Sequence, residues 1–265
     1  MDEEKLQKYY KSCNEYFNKL QEEEFETRFL KYYKSLSSVK KNKWILDVGC
    51  GVGQVVIKLA KDGLESVGID VSPIAIKLAV ESAKKNPHAF FVVASGYHLP
   101  FKQEAFEVDC CLDVLEHLKY PELCLSEMLR VIKKDGKIVV ASPNLLCPVY
   151  ADGFKRGASN LKNLFSKIIR VNKKVGFEHI KPRLDWSGKE VGRDHDAITI
   201  IDPITIKNIL ERRKVKIVYQ SSYLGSRRKI LEMLSTLPLF RSVGGGIFLV
   251  GKLAKTRVYT GEEWL

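Results

Sequence analysis

Short, unbroken apolar runs alternate along this chain with segments whose apolar residues recur every three to four positions. Trp44-Ile45-Leu46-Asp47-Val48 is one such run, and its continuity suits a strand buried on both faces of a parallel sheet. Gln54–Lys61 has helical spacing and stops at Gly63, a C-terminal cap. Ser66–Asp70 reads as a strand, and Ser72-Pro73 supplies an N-cap and first-turn proline for a helix over Ile74–Lys85. Ala89–Ala94 and Val108–Leu112 read as the third and fourth strands. Pro121–Ile132 reads as a helix closed by the turn Lys134-Asp135-Gly136, with Lys137–Ala141 a fifth strand. Strands that alternate with helices of this length predict βαβ units and an α/β, doubly wound parallel sheet.

The two ends of the chain depart from this rhythm. Residues 1–36 read as a helical cap, with apolar positions at Leu6, Tyr9, Tyr10, Tyr16, Phe17 and Leu20. Beyond Pro143 the alternation breaks, and 145–200 reads as a basic, mostly helical lid insertion with no clear strand before 195. Asp202-Pro203 then opens a helix to Arg213, Val215–Tyr219 is a strand, Arg227–Ser235 a helix and Gly246–Leu253 a final strand. With 265 residues, the chain can bury one substantial core, so 1–265 is expected to be a single domain.

Composition narrows the compartment. No apolar run approaches the roughly 20 residues of a membrane-spanning helix, and the acidic start Met1-Asp2-Glu3-Glu4 is unlike a secretory signal. The six cysteines form no C-x-x-C pair and no zinc spacing, so reduced thiols and a cytoplasmic location are expected. The net charge is +12, which favours an anionic partner without choosing one. Between Ala151 and Arg193 stand eleven basic residues against four acids. There Leu161, Leu164, Phe165, Ile168 and Ile169 recur at helical spacing among lysines. That basic amphipathic segment suits either a lid packed on the sheet or peripheral contact of 155–174 with an anionic membrane.

The candidate chemistry lies in Asp47-Val48-Gly49-Cys50-Gly51-Val52-Gly53. Glycines let a backbone turn tightly and approach a ligand closely, and the helix beyond presents free amide donors. A dinucleotide loop would place a third glycine where Gln54 stands, and it does not need an acid two residues ahead of its first. The run resembles instead the class I S-adenosylmethionine-dependent methyltransferases, in the small-molecule branch that includes quinone-biosynthesis enzymes. The resemblance covers about residues 40–145 well. It implies a Rossmann-like seven-stranded sheet with a helical lid and S-adenosylmethionine as methyl donor. Asp47, Gly49, Cys50, Gly51 and Gly53 would hold its amino-acid end, Asp70 its ribose hydroxyls, and Val71 would lie against the adenine. The family segment Asp-Ala-x-x-Leu-Pro-Phe reads Ser95-Gly96-Tyr97-His98-Leu99-Pro100-Phe101 here, so Ser95 and Gly96 fall beside the adenine with Ser95 replacing an acid. Asp113-Val114-Leu115-Glu116-His117-Leu118 matches the segment after the fourth strand and adds Asp113 to the donor site.

Methyl transfer from a sulfonium needs alignment and exclusion of water, and a hydroxyl acceptor would add the need for a base. His117 is the first candidate, near the methyl group in this fold. His195, within Arg193-Asp194-His195-Asp196, is the second, with a capping or loop histidine as the alternative. Asp113, Glu116 and His117 could imitate a divalent-cation motif of some relatives, although no metal is assigned. Nucleic acid is disfavoured, because Asp113-Val114-Leu115-Glu116 stands where base-methylating enzymes carry a Pro-Pro run. The expected acceptor is a small molecule, hydrophobic or lipid-like. RNA or protein methylation and a non-catalytic S-adenosylmethionine sensor remain alternatives.

Overall fold

The computed structural model describes residues 2–22, 33, 36–37, 43–144, 177–182, 196–223 and 246–254. Two helices open the chain, α1 (Asp2–Ser12) and α2 (Asn14–Glu22). The alternating core follows as β1 (Trp44–Val48), α3 (Gln54–Lys61), β2 (Glu65–Asp70), α4 (Pro73–Ala83), β3 (Ala89–Val93), β4 (Phe106–Leu112), α5 (Pro121–Val131) and β5 (Ile132–Pro143). The short strands β6 (Glu178–His179) and β7 (Thr199–Ile200) pair with each other. The chain then forms α6 (Pro203–Arg212), β8 (Val215–Tyr223) and β9 (Gly246–Leu253).

Seven strands make one sheet in the order β3-β2-β1-β4-β5-β9-β8. The five strands from β3 to β5 run parallel, whereas β9 is antiparallel to both β5 and β8. The sheet is therefore mixed, not wholly parallel. Side chains alternate across it with the period of two that extended backbone imposes. Leu46, Val48, Ile138, Val140 and Leu249 meet α5 and α6 through Leu125, Met128, Ile206 and Leu210. Ile45, Val108, Cys110, Val139 and Val250 meet α3 through Val55 and Leu59 on the other face. Apolar strands covered on both faces are what the unbroken apolar runs require.

Several boundaries shift for local reasons. The fourth helix ends at Ala83 rather than Lys85, because Lys84 and Lys85 both take positive φ (49° and 59°) ahead of Asn86-Pro87. The expected turn Lys134-Asp135-Gly136 lies inside β5. The α5 cap Ile132 is already extended (ψ 141°), and the register steps from Phe106↔Ile132 to Val108↔Lys137. The surplus residues bulge, with Asp135 at φ 62°. β8 runs four residues past Tyr219, its polar Gln220-Ser221-Ser222 carried by the ladder to β9. The stretch expected to lack a strand contains β6, while Arg227–Ser235, His195 and 155–174 lie outside the described residues. Among the described residues, no helix is long and apolar enough to cross a membrane.

The β3–β4 connection is held from beneath by Arg130 of α5. Its guanidinium donates to Leu99 O (2.9 Å) and Phe101 O (2.8 Å) and forms two bonds to Glu127. Glu127 in turn accepts from Leu99 N at 2.9 Å. Arg130→Met keeps the aliphatic stem and removes these donors, so unfolding in urea should show a loss of about 2 kcal/mol. An unchanged midpoint would mean that the loop holds itself.

Candidate functional site

The sequence-selected residues gather at the carboxyl ends of β1, β2, β3 and β4. In open α/β sheets this is where the strand order reverses and a crevice forms. The loop after β1 is built by its glycines. Gly49 and Cys50 both donate their N–H to Ile69 O at 2.8 Å, and Gly53 N closes a turn onto Cys50 O at 2.9 Å. All three glycines have positive φ, 78°, 51° and 78°, which L side chains adopt at a cost. Their surroundings differ. A Cβ on Gly49 would lie 2.3 Å from Val114 Cγ2, and one on Gly53 would lie 2.7 Å from Phe91 Cε1. One on Gly51 would have nothing within 4 Å. The loop is thus packed at its two outer glycines and faces open space at the middle one.

Asp70 ends β2 beside that opening. Its Oδ2 accepts from Gly51 N at 3.0 Å and its Oδ1 from Ser72 N at 2.8 Å. Burial raises its carboxyl above the ordinary carboxylate range, and these backbone donors oppose the rise. Each oxygen keeps a second lone pair for a ligand hydroxyl. Asp70 therefore also fastens two loops together, a role that its strand-end position alone did not disclose. Val71 beside it is half-buried. Asp47 is buried at 3% exposure, with the Cys110 thiol 3.3 Å from Oδ1. Burial pushes its carboxyl up to about 7, the thiol bond opposes this, and the charge of Asp70 adds to it.

Ser95 sits in a turn, its Oγ accepting from Tyr97 N at 3.2 Å and its carbonyl from His98 N at 3.1 Å. Gly96 is a packing position, where a Cβ would lie 3.2 Å from both Cys124 Sγ and Val48 Cγ1. Asp113 ends β4 at φ 56° and is held there by its N–H to Ala141 O (2.9 Å). His117 follows in the short helical turn Leu115–His117. Its Nε2 lies 3.6 Å from Glu116 Oε1 and its Nδ1 3.7 Å from Asp196 Oδ1. No group of three His, Cys, Asp or Glu among the described residues is arranged to hold a metal ion.

The N-terminal helices lie across this crevice. Phe17 packs with Val52 and Ala75, and Gln54 Nε2 donates to Leu20 O at 2.9 Å. Ser72 Oγ donates to Tyr10 O at 2.6 Å. Glu3 accepts from the Tyr97 hydroxyl and from Lys119 N. Tyr10 Oη donates to Asp196 Oδ2 at 2.5 Å. Burial and then the charge of Asp196 push the Tyr10 phenol well up, so it stays a donor. Asp196 is the site residue that the sequence left unassigned, whereas Tyr10 was read only as part of the helical cap and Glu116 only as part of a possible divalent-cation motif. Asp196 carried one signal, its place beside His195 in Arg193-Asp194-His195-Asp196. The carboxylates at the strand ends make the crevice acidic within a chain of net charge +12.

Residues 46–140 match the family model described as "Methyltransferase domain". Over that segment the chain is similar to S-adenosylmethionine-dependent methyltransferases. The chain is 34% identical to norajmaline N-methyltransferase of Rauvolfia serpentina, over 43% of this chain and 40% of that protein. It is 29% identical to the mitochondrial ubiquinone biosynthesis O-methyltransferase of Schizosaccharomyces pombe, over 51% of this chain and 53% of the relative. The chain thus spans less than two thirds of either. A putative methyltransferase solved in complex with the Haloferax volcanii Trm112 methyltransferase activator shares the fold, with a TM-score of 0.60 at 13% identity. That match covers 96% of this chain and 100% of the solved one.

Two outcomes follow for the methyltransferase loop. Gly51→Ala should fold at a cost of about 1–2 kcal/mol for its left-handed backbone, yet weaken S-adenosylhomocysteine binding at least tenfold in calorimetry. Gly49→Ala, which strikes Val114, should lose stability as well. Equal binding by the Gly51 variant would mean that the opening is not a ligand cradle. The second outcome concerns pH. The ordinary Asp47 value is 3.8 and the folded one about 7, so folding favours the protonated acid. The Asp47 contribution to stability is full below 3.8 and declines as pH rises to about 7. Asp47→Asn should flatten that part of a urea-unfolding pH series, and an unchanged slope would assign the titration elsewhere.

Proposed function

We propose that this protein transfers a methyl group from S-adenosylmethionine to a small-molecule acceptor. The observation that carries the reading is the loop Gly49–Gly53, packed at both outer glycines, open at Gly51 and joined there to Asp70. Asp47, Gly49, Cys50, Gly51 and Gly53 would hold the amino-acid end of the donor. Asp70 and Val71 would hold the ribose and adenine, with Ser95, Gly96 and Asp113 completing the wall. The bound donor supplies a methyl group on a sulfonium, activated for in-line displacement. The acidic crevice favours that cation.

His117 is the proposed proton acceptor. Its two nitrogens face the buried carboxylates of Glu116 and Asp196, and a proton taken from the acceptor would be stabilised between them. The cap of α1 and α2 would exclude water, which strengthens each of these interactions. The cysteines of the described residues are free, which supports a reducing, cytoplasmic setting. A hydrophobic acceptor met at an anionic membrane is supported by the sequence of 155–174 alone.

Calorimetry should find S-adenosylmethionine and S-adenosylhomocysteine binding at one site. His117→Ala should retain binding and slow methyl turnover by about 10²–10⁴-fold. Turnover on a lipid extract set against an aqueous extract then identifies the acceptor class. Failure to bind either adenosyl compound would sink the reading.

A further inference from the structure

Five side chains from four stretches of sequence meet in a row between the cap and the sheet. Tyr10 Oη donates to Asp196 Oδ2 at 2.5 Å. The other oxygen of that carboxylate, Oδ1, lies 3.7 Å from His117 Nδ1. His117 Nε2 lies 3.6 Å from Glu116 Oε1, and Glu116 Oε2 accepts from Ser142 Oγ at 2.8 Å. Asp196, Glu116 and Ser142 are all buried, and the Tyr10 ring stands edge-on to the imidazole at 6.1 Å.

The order of groups is hydroxyl, carboxylate, imidazole, carboxylate, hydroxyl. The two imidazole contacts are ion-pair separations, and donors would face acceptors throughout the row once the imidazole carried a proton on each nitrogen. With a neutral imidazole the row is one proton short. Two buried carboxylates around one imidazole are poor fasteners for a fold, since their desolvation offsets most of their attraction. The backbone nevertheless clamps them in place. Ile198 N donates to Glu116 O at 2.8 Å, and Thr199 Oγ1 donates to Leu118 O at 2.5 Å. The segment carrying Asp196 is thereby held on the turn carrying His117.

We propose that Tyr10 and Asp196 are positioning residues that make His117 a competent proton acceptor only when α1 is docked. The Tyr10 hydroxyl holds Oδ2 of Asp196, which leaves Oδ1 toward the imidazole. The purpose of this coupling rests on the methyltransferase reading; its geometry does not. In the transfer step the acceptor's X–H bond breaks and its electron pair bonds the methyl carbon, while the donor's S–CH₃ bond breaks and leaves its pair on the sulfur of S-adenosylhomocysteine. The proton passes to the imidazole and completes the row. Undocking of α1 removes Tyr10 and lets the proton leave to solvent.

Among the described residues, Glu116 on its own turn, Asp196 ahead of β7 and Tyr10 on α1 face the imidazole. Tyr16 of α2 feels the charges of both carboxylates. Glu3 of α1 meets the neighbouring Lys119 through its backbone N–H, and His179 of β6 is turned to Thr199 Oγ1 at 3.1 Å.

The test is a double-variant cycle on the full chain, read by imidazole NMR across pH. Asp196→Asn should lower the midpoint of the His117 titration by about one unit. Tyr10→Phe should lower it by roughly half as much, since it misplaces the carboxylate without removing it. The combined variant should go no further than Asp196→Asn alone, because Tyr10 acts through Asp196. An unmoved midpoint in Tyr10→Phe, or a full additional shift in the combined variant, overturns the proposal. If Asp196→Asn does not fold, the Tyr10→Phe midpoint decides alone. Calorimetry with S-adenosylhomocysteine on the same wild-type sample separates the two readings. Absence of binding overturns the methyltransferase assignment and leaves the cycle to judge the coupling.

Discussion

Asp70 receives backbone N–H groups from Gly51 and from Ser72, on loops that leave two different strands. A carboxylate at this depth needs such donors, because burial alone works against its charge. The bonds therefore run in both directions of cause. The loops keep the carboxylate ionisable, and the carboxylate keeps the glycine loop against the end of β2. Ser72 then passes the constraint outward, since its hydroxyl holds the Tyr10 carbonyl of α1. Cap, loop and strand end are consequently one mechanical unit.

The charge of the molecule has two parts with opposite senses. Net charge is strongly positive, and much of that excess falls between Ala151 and Arg193. The crevice at the strand ends is acidic instead, with Asp47, Asp70, Asp113, Glu116 and Asp196. Within a Debye length, about 8 Å at physiological salt, these carboxylates act directly on a molecule bound among them. The overall charge thus says little about the chemistry inside, where a cation is the better guest.

The strands and helices around the glycine loop were legible because each obeys a local rule. Gln54–Lys61 and Gly246–Leu253 fall where spacing puts them, and the Ser72-Pro73 start is realised by Ser72 Oγ accepting from Ala75 N at 3.3 Å. The antiparallel course of β9 was not legible, since an apolar run carries no direction. The extension of β8 through Gln220-Ser221-Ser222 was hidden for a related reason, as partner pairing and not residue preference sustains it. The meeting of Asp47, Gly51 and Asp70 at the strand ends was readable through the family resemblance of the motif. Tyr10 and Asp196 were not, because their meaning comes from touching His117 across the fold. Glu116 was visible in its motif, while its burial against Ser142 was not.

The contact between Tyr10 and Asp196 joins positions 186 apart in sequence. Closing so long a loop is slow and is rewarded only after the intervening sheet exists. On a chain that emerges from its N-terminus, α1 can meet Ser72 and Tyr97 early, but its bond to Asp196 waits until the segment before β7 has been made and laid on the Glu116–His117 turn. That side of the crevice is therefore closed late. A chain interrupted before Asp196 could form much of its parallel sheet and still hold no closed site.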